Sequence, residues 1–247
     1  MLFNYLLQLA DNQLILSQRL SELCGHGPAL EQDIALTNIS LDLIGQARLL
    51  FQYAEKHDDQ KRNEDQLALV RAEHEYRNVL LVEQPNVDFA HVIVRQYFYD
   101  EFNYLNYSAL VSSNDEDLAA IATKSLMEVK YHRRFSRNWV LRLGDGTAIS
   151  KQKMQDAIDD LWAYPGELFE MTADEQVLVK AGVAVDVGAF QSDWKEAVMA
   201  TLKEATLTIP EGNWHQSGGK KGVHSEHLGH LLAEMQFLQK AYPNQTW

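Results

Sequence analysis

Apolar residues recur along this chain at steps of three and four, and nowhere does a period-two run persist long enough to read as a strand. That spacing puts one apolar stripe on each of several amphipathic helices. The first stripe, Leu6, Leu9, Gln13, Leu16, Leu20 and Leu23, predicts a helix from about Phe3 to Leu23, stopped by Gly25-His26-Gly27-Pro28. The second, Leu36, Ile39, Leu43, Ala47, Leu50 and Tyr53, predicts one from Asp33 to Ala54. After a charged stretch from Glu55 to Asp65, expected to be solvated, a shorter helical piece runs from Gln66 to Leu80 and ends near Pro85.

The third long segment, Phe89 to Val111, carries seven aromatic residues, which suit either a bundle core or an interface. The fourth, Leu118 to Leu143, aligns Ala122, Ser125, Val129, His132, Ser136, Trp139 and Leu143. Further helices are expected near Lys151–Trp162, Gly188–Ala205 and Ser225–Tyr242. Four long helices with short connections predict an all-α antiparallel four-helix bundle with flanking helices, in a single domain over 1–247.

Composition narrows the function classes. The chain of 247 residues is 46% hydrophobic and carries 22 basic against 35 acidic residues, a net charge of −13. Nucleic-acid binding needs clustered Lys and Arg, so it is disfavoured. A single cysteine, Cys24, fits a reducing compartment, and within a helix a buried thiol is the ordinary outcome. The first residues lack a basic leader and no uninterrupted apolar run spans a bilayer, so a cytoplasmic protein is expected.

A long helical bundle raises the question of a di-iron carboxylate centre. Such a centre takes a Glu from each of two helices and Glu-x-x-His from each of two others. No Glu-x-x-His occurs, and the second segment has no histidine; Glu128 is followed by Tyr131 at the required spacing, with His132 one step late. Glu128 and His132 instead suit a buried polar pair. His224, His227 and His230 stand at three-residue spacing, but their directions drift by about 60° over two steps, poor geometry for zinc. Asp88 and His91 make a weaker pair still. No phosphate loop, dinucleotide fingerprint or nucleophile elbow is present. No catalytic residue and no metal ligand is assigned.

The densest signal is Gly218–Gln239, GGKKGVHSEHLGHLLAEMQFLQ. Three glycines permit close backbone approach, Lys220 and Lys221 offer positive charge to a partner or an anion, Ser225 suits an N-cap, and Leu228, Leu231, Leu232, Met235 and Leu238 form one stripe. This segment, with Leu16–Leu20, Cys24-Gly25-His26, Leu41–Leu43, Gly45–Arg48, Leu80–Asn86 (LLVEQPN), Arg95–Phe98 and Tyr131–Arg137, closely resembles the non-catalytic C subunits of the bacterial ring 1,2-phenylacetyl-CoA epoxidases. The likeness runs over nearly the whole chain.

That resemblance implies a ferritin-like fold without metal ligands and a structural role beside a catalytic A subunit that holds the di-iron centre. It implies further partners: a small B subunit and a reductase carrying FAD and an iron–sulfur cluster, with no cofactor in this chain. The reaction implied for the assembly is epoxidation of the ring of phenylacetyl-CoA in aerobic phenylacetate breakdown. It also suggests acyl-CoA contact at Glu75, Tyr76, Arg77 and Asn78, and at Gln176, Val177 and Leu178. Two other readings remain at this point: a helical scaffold unrelated to oxygen chemistry, and a free-standing metal-dependent oxygenase. Metal content separates the oxygenase from the others; co-purification with a subunit bearing Glu-x-x-His separates the accessory subunit from the scaffold.

Overall fold

The computed structural model describes residues 1–212, 214–243 and 245, which form two compact units: 1–85 with 218–247, and 86–217. The all-α expectation holds. Each unit is built on one long antiparallel helix pair, the element from which ferritin-like folds are made.

In the first unit the pair is α1 (Leu2–Ser21) and α2 (Leu30–Glu55). Helix α1 is buried on nearly every side, including its polar residues Gln8, Asp11, Asn12, Gln13 and Ser17. Helix α2 buries the expected stripe from Leu36 to Tyr53 against it, and each buried leucine contributes roughly 1.5–3 kcal/mol. It begins three residues before the expected Asp33, because Asp33 caps the preceding turn: its carboxylate accepts from Gly25 N at 2.8 Å and Gly27 N at 3.0 Å. Helix α1 ends at Ser21, so Cys24 lies in that turn and is exposed, contrary to the buried thiol expected. Among the described residues α2 is the one helix long and apolar enough by composition to cross a membrane. The connection expected to be solvated hides Asp58, whose carboxylate is 3.0 Å from Arg62 Nε.

Downstream the sequence expectation fails. The helix expected over Gln66–Leu80 is only α3 (Glu64–Leu69), followed by single 3₁₀ turns at Glu73–Glu75 and Leu80–Glu83. The C-terminal helix is broken into α9 (Glu226–Met235) and α10 (Phe237–Ala241). Gln236 sits buried at the break while Leu238, expected in the stripe, is exposed.

In the second unit α4 (Phe89–Leu110) pairs with α5 (Glu116–Gly144). Every residue from Ala90 to Asn103 is buried. The aromatic segment is therefore core: Tyr97, Phe98, Tyr99, Phe102 and Tyr107 are enclosed within the chain and do not form a free interface. On α5 the stripe begins as expected, but Val140 and Gly144 replace Trp139 and Leu143 in the core. A 3.5-residue repeat drifts on a straight helix, and the buried face follows the 3.6-residue turn. Around this pair lie α6 (Ala148–Leu161), α7 (Ala173–Lys180) and α8 (Gln191–Glu204). Helix α7 was not foreseen, although Thr172 and Glu175 form a capping box readable in the sequence.

Candidate functional site

Residues 71–84, which include Glu75–Asn78 and most of LLVEQPN, and the loop that opens Gly218–Gln239 meet in the first unit. Asp11, in the middle of α1, pairs with the buried guanidinium of Arg71, which lies over the Tyr76 ring at 4.2 Å. The same carboxylate accepts from Arg77 N at 2.8 Å, and the next residue, Asn12, accepts from Val79 N at 2.8 Å. These long-range bonds take backbone donors that an α-helix would use in its i→i−4 ladder, so 71–79 holds only the 3₁₀ turn at Glu73–Glu75. Two backbone donors of the strip, Arg77 N and Val79 N, are satisfied by buried side chains of α1.

The glycine loop closes on this strip. A Cβ at Gly219 would stand 2.1 Å from Asn78 O, and one at Gly222, where φ is +78°, would stand 2.2 Å from His74 O. Only glycine allows that approach. His224 is enclosed with its Nδ1 3.1 Å from Glu83 Oε2 and its Nε2 3.1 Å from Tyr76 O. Burial works against its positive charge, but the Glu83 hydrogen bond and charge, aided by the Tyr76 carbonyl, outweigh it and raise the His224 pKa above its ordinary value. Glu83 also accepts from Ser225 N at 2.7 Å and Asn78 Nδ2 at 3.1 Å. Arg19 donates to the Glu83 and His227 carbonyls, and Gln236 donates to Arg71 O and the Tyr76 hydroxyl.

The residues proposed for acyl-CoA contact have different surroundings. Tyr76 and Asn78 are fully buried in this lattice, Tyr76 with its hydroxyl donating to Ala68 O. Glu75 and Arg77 are half-buried, and one Arg77 nitrogen donates to the carbonyls of His74 and Tyr76. On α7, in the second unit, Gln176 and Val177 are exposed while Leu178 is buried. Lys220 is buried and Lys221 exposed. The three histidines do not form a cluster: His224 is enclosed, His227 half-buried and His230 exposed. Asp11, Asn12, Arg19 and Gln236, which organise the lattice, were not singled out as site residues; isolated polar residues within an apolar helix were the available signal.

A second buried polar group lies between α4 and α5. Asp100 accepts from Gln96 Nε2 and Ser136 Oγ, each at 2.7 Å. Burial pushes its carboxyl up to about 7, against the opposing pull of His132 and the two hydrogen bonds. Glu101 is also raised by burial, although Arg133 Nε donates to it at 2.7 Å. Both Asp100 oxygens and Glu101 Oε2 are held by amide, hydroxyl and guanidinium donors, Glu101 Oε1 is buried with no hydrogen-bond partner, and no group of three or more His, Cys, Asp or Glu among the described residues could hold a metal ion. The donor set does not fit a carboxylate-bridged metal pair. Asp88 caps α4, and the His91 ring lies between Asp88, at 2.8 Å, and Asp160, at 3.1 Å.

The family model for phenylacetic acid catabolic proteins matches residues 1–247. The chain belongs to this family. A relative in Escherichia coli (strain K12), the C subunit of a 1,2-phenylacetyl-CoA epoxidase, is 49% identical over 243 residues, covering 98% of each chain. The resemblance carried by the C-terminal signature and LLVEQPN thus extends across the family match, and those two segments are the ones that build the buried lattice.

Proposed function

We propose that this chain is a non-catalytic structural subunit of a multicomponent di-iron monooxygenase that epoxidises the ring of phenylacetyl-CoA in aerobic phenylacetate catabolism. The observation that carries the proposal is the relative, a named epoxidase subunit, aligned over nearly all of both chains. The di-iron centre would then reside in an A-type partner, with electrons supplied through a reductase carrying FAD and an iron–sulfur cluster. A small B subunit would make up the rest of the assembly. The setting would be cytoplasmic.

A bundle without its own reactive centre can contribute by docking and by shaping a shared pocket. Helix α2 offers a suitable face. Leu30, Ile34 and Leu41 are exposed by 72%, 52% and 60% and lie on the side opposite its buried stripe. Gly45 continues that face, and a methyl group added there would have nothing within 4 Å, so the face is flat at that point. For substrate, Arg77 in the first unit is half-exposed and able to meet a phosphate, with Glu75 beside it in sequence; on the second unit the exposed Gln176 and Val177 are separate candidate contacts. Tyr76, Asn78 and Leu178 would act from beneath by fixing the backbone.

The deciding experiment purifies the A-type subunit with and without this chain, adds reductase, NADPH, oxygen and phenylacetyl-CoA, and follows epoxide formation. Activity and solubility should depend on the added chain. An A-type subunit that is stable, metal-loaded and equally active alone would end the proposal.

A further inference from the structure

The second unit contains an open cavity of 610 Å³ that the proposed role does not use. Its floor is aromatic and fixed in orientation. Trp194 is buried and donates its indole N–H to Phe98 O at 3.0 Å, leaving its ring to line the space. Trp162 stands 6.2 Å from it at an interplanar angle of 36°, and Phe169 packs edge-on at 5.6 Å. The cavity's third indole, Trp214, is 73% exposed. Two residues beyond it, Gln216 N donates to Ala163 O at 2.7 Å, and earlier in the chain Thr208 pairs with the Gln155 amide. A large ring left mostly in water beside an open aromatic cavity is placed to close over a flat guest.

The charge of the lining selects the guest further. In a chain of net charge −13, no carboxylate among the described residues lines this cavity, and its ionisable groups are Lys195 and His215. His215 Nε2 is engaged by Glu170 at 2.8 Å. Lys195 is exposed and has no ionic or hydrogen-bond partner among the described residues. An aromatic floor, an aromatic flap and one uncommitted ammonium together fit a ring bearing a negative group.

We propose that this cavity binds a small planar aromatic anion, its ring between Trp214 and the Trp162–Trp194 floor and its charge at Lys195. An aryl carboxylate and a nucleoside monophosphate share this chemistry, and phenylacetate and adenosine 5′-monophosphate serve as their probes. Titrating the purified full-length chain and following tryptophan fluorescence and calorimetric heat should show saturable one-to-one binding of at least one probe, with Kd of about 0.1–1 mM. The tighter probe identifies the source. Lys195→Gln and Trp214→Ala, both exposed positions, should each weaken it roughly tenfold. Cyclohexylacetate, which lacks the aromatic ring, and phenylacetamide, which lacks the charge, should bind more weakly than phenylacetate if the aryl acid is the source; adenosine, which lacks the phosphate, should bind more weakly than its monophosphate if the nucleotide is. Absence of saturation with both probes overturns the proposal, as does unchanged affinity in both variants or equal binding of the control lacking the charge or the ring.

Discussion

Two buried ionisable groups set measurable behaviour at the scale of single residues. Asp100 has its carboxyl raised to about 7 by burial, so the folded state prefers it protonated. Below the ordinary carboxylate range both states are protonated and it costs nothing; as pH rises towards 7 the folded chain progressively loses stability. His224 is raised as well, and its stabilising contribution is complete below the unfolded histidine value and lost as pH climbs through the folded one. Stability should therefore fall between pH 5 and pH 8. Asp100→Asn can keep the Gln96 bond through its carbonyl and meet Ser136 through its amide. It should stabilise the chain at pH 8, by up to about 4 kcal/mol from linkage, and by far less at pH 4. Denaturant unfolding at the two pH values checks this; a pH-independent difference would show that charge is not the cause. At Asp11, the opposite logic holds. Arg71→Met strands that carboxylate without its buried partner and should cost about 3–5 kcal/mol in the same assay.

At the scale of elements, the glycine loop and the 71–84 strip behave as one piece of structure. Each has only short 3₁₀ turns of its own, and the two are held together by their contacts with one another and with α1. Gly219→Ala inserts a methyl against the backbone oxygen of Asn78, which cannot swing aside as a long side chain would. The loop must lift, taking the Glu83–Ser225 bond and the start of α9 with it. The expected result is a lower midpoint of thermal unfolding together with faster proteolysis near 218–236. Faster hydrogen exchange there, with α4 and α5 unaffected, would confirm that the disturbance is local. Lys220, buried beside this junction, belongs to the loop's own packing, whereas Lys221 remains available to a partner.

For the whole molecule, the testable question is which surface would meet the proposed catalytic subunit. Permanent complexes bury on the order of 2,000 Å² or more, and an exposed apolar helix face is the usual seed. Ile34→Glu with Leu41→Glu should leave the isolated chain folded, since both side chains already stand in water, yet should weaken co-purification with the A-type subunit at least tenfold. Lys221→Glu should weaken it in a salt-sensitive manner if the loop meets an acidic patch. Unchanged affinity in the α2 double variant would move the interface to another face.

The sequence by itself determined the long helices, because a 3.6-residue apolar rhythm sustained over twenty residues specifies helix and buried face together. Leu36 to Tyr53 on α2 and Ala122 to Ser136 on α5 follow that rule in the folded chain. It also determined the family, through loop and strip residues whose spacing no bundle needs, and it contains no Glu-x-x-His at any position. Tertiary structure decided what depends on partners distant in the chain. Arg71–Val79 looks helical until Asp11 and Asn12, more than sixty residues away, take its backbone donors. Tyr76 and Asn78 look like surface contacts until the loop covers them, and α9 reads through Gln236 until that amide finds Arg71 and Tyr76. Local periodicity encodes the balance between apolar burial and the helical ladder, while a buried hydrogen bond between remote segments leaves no period to read.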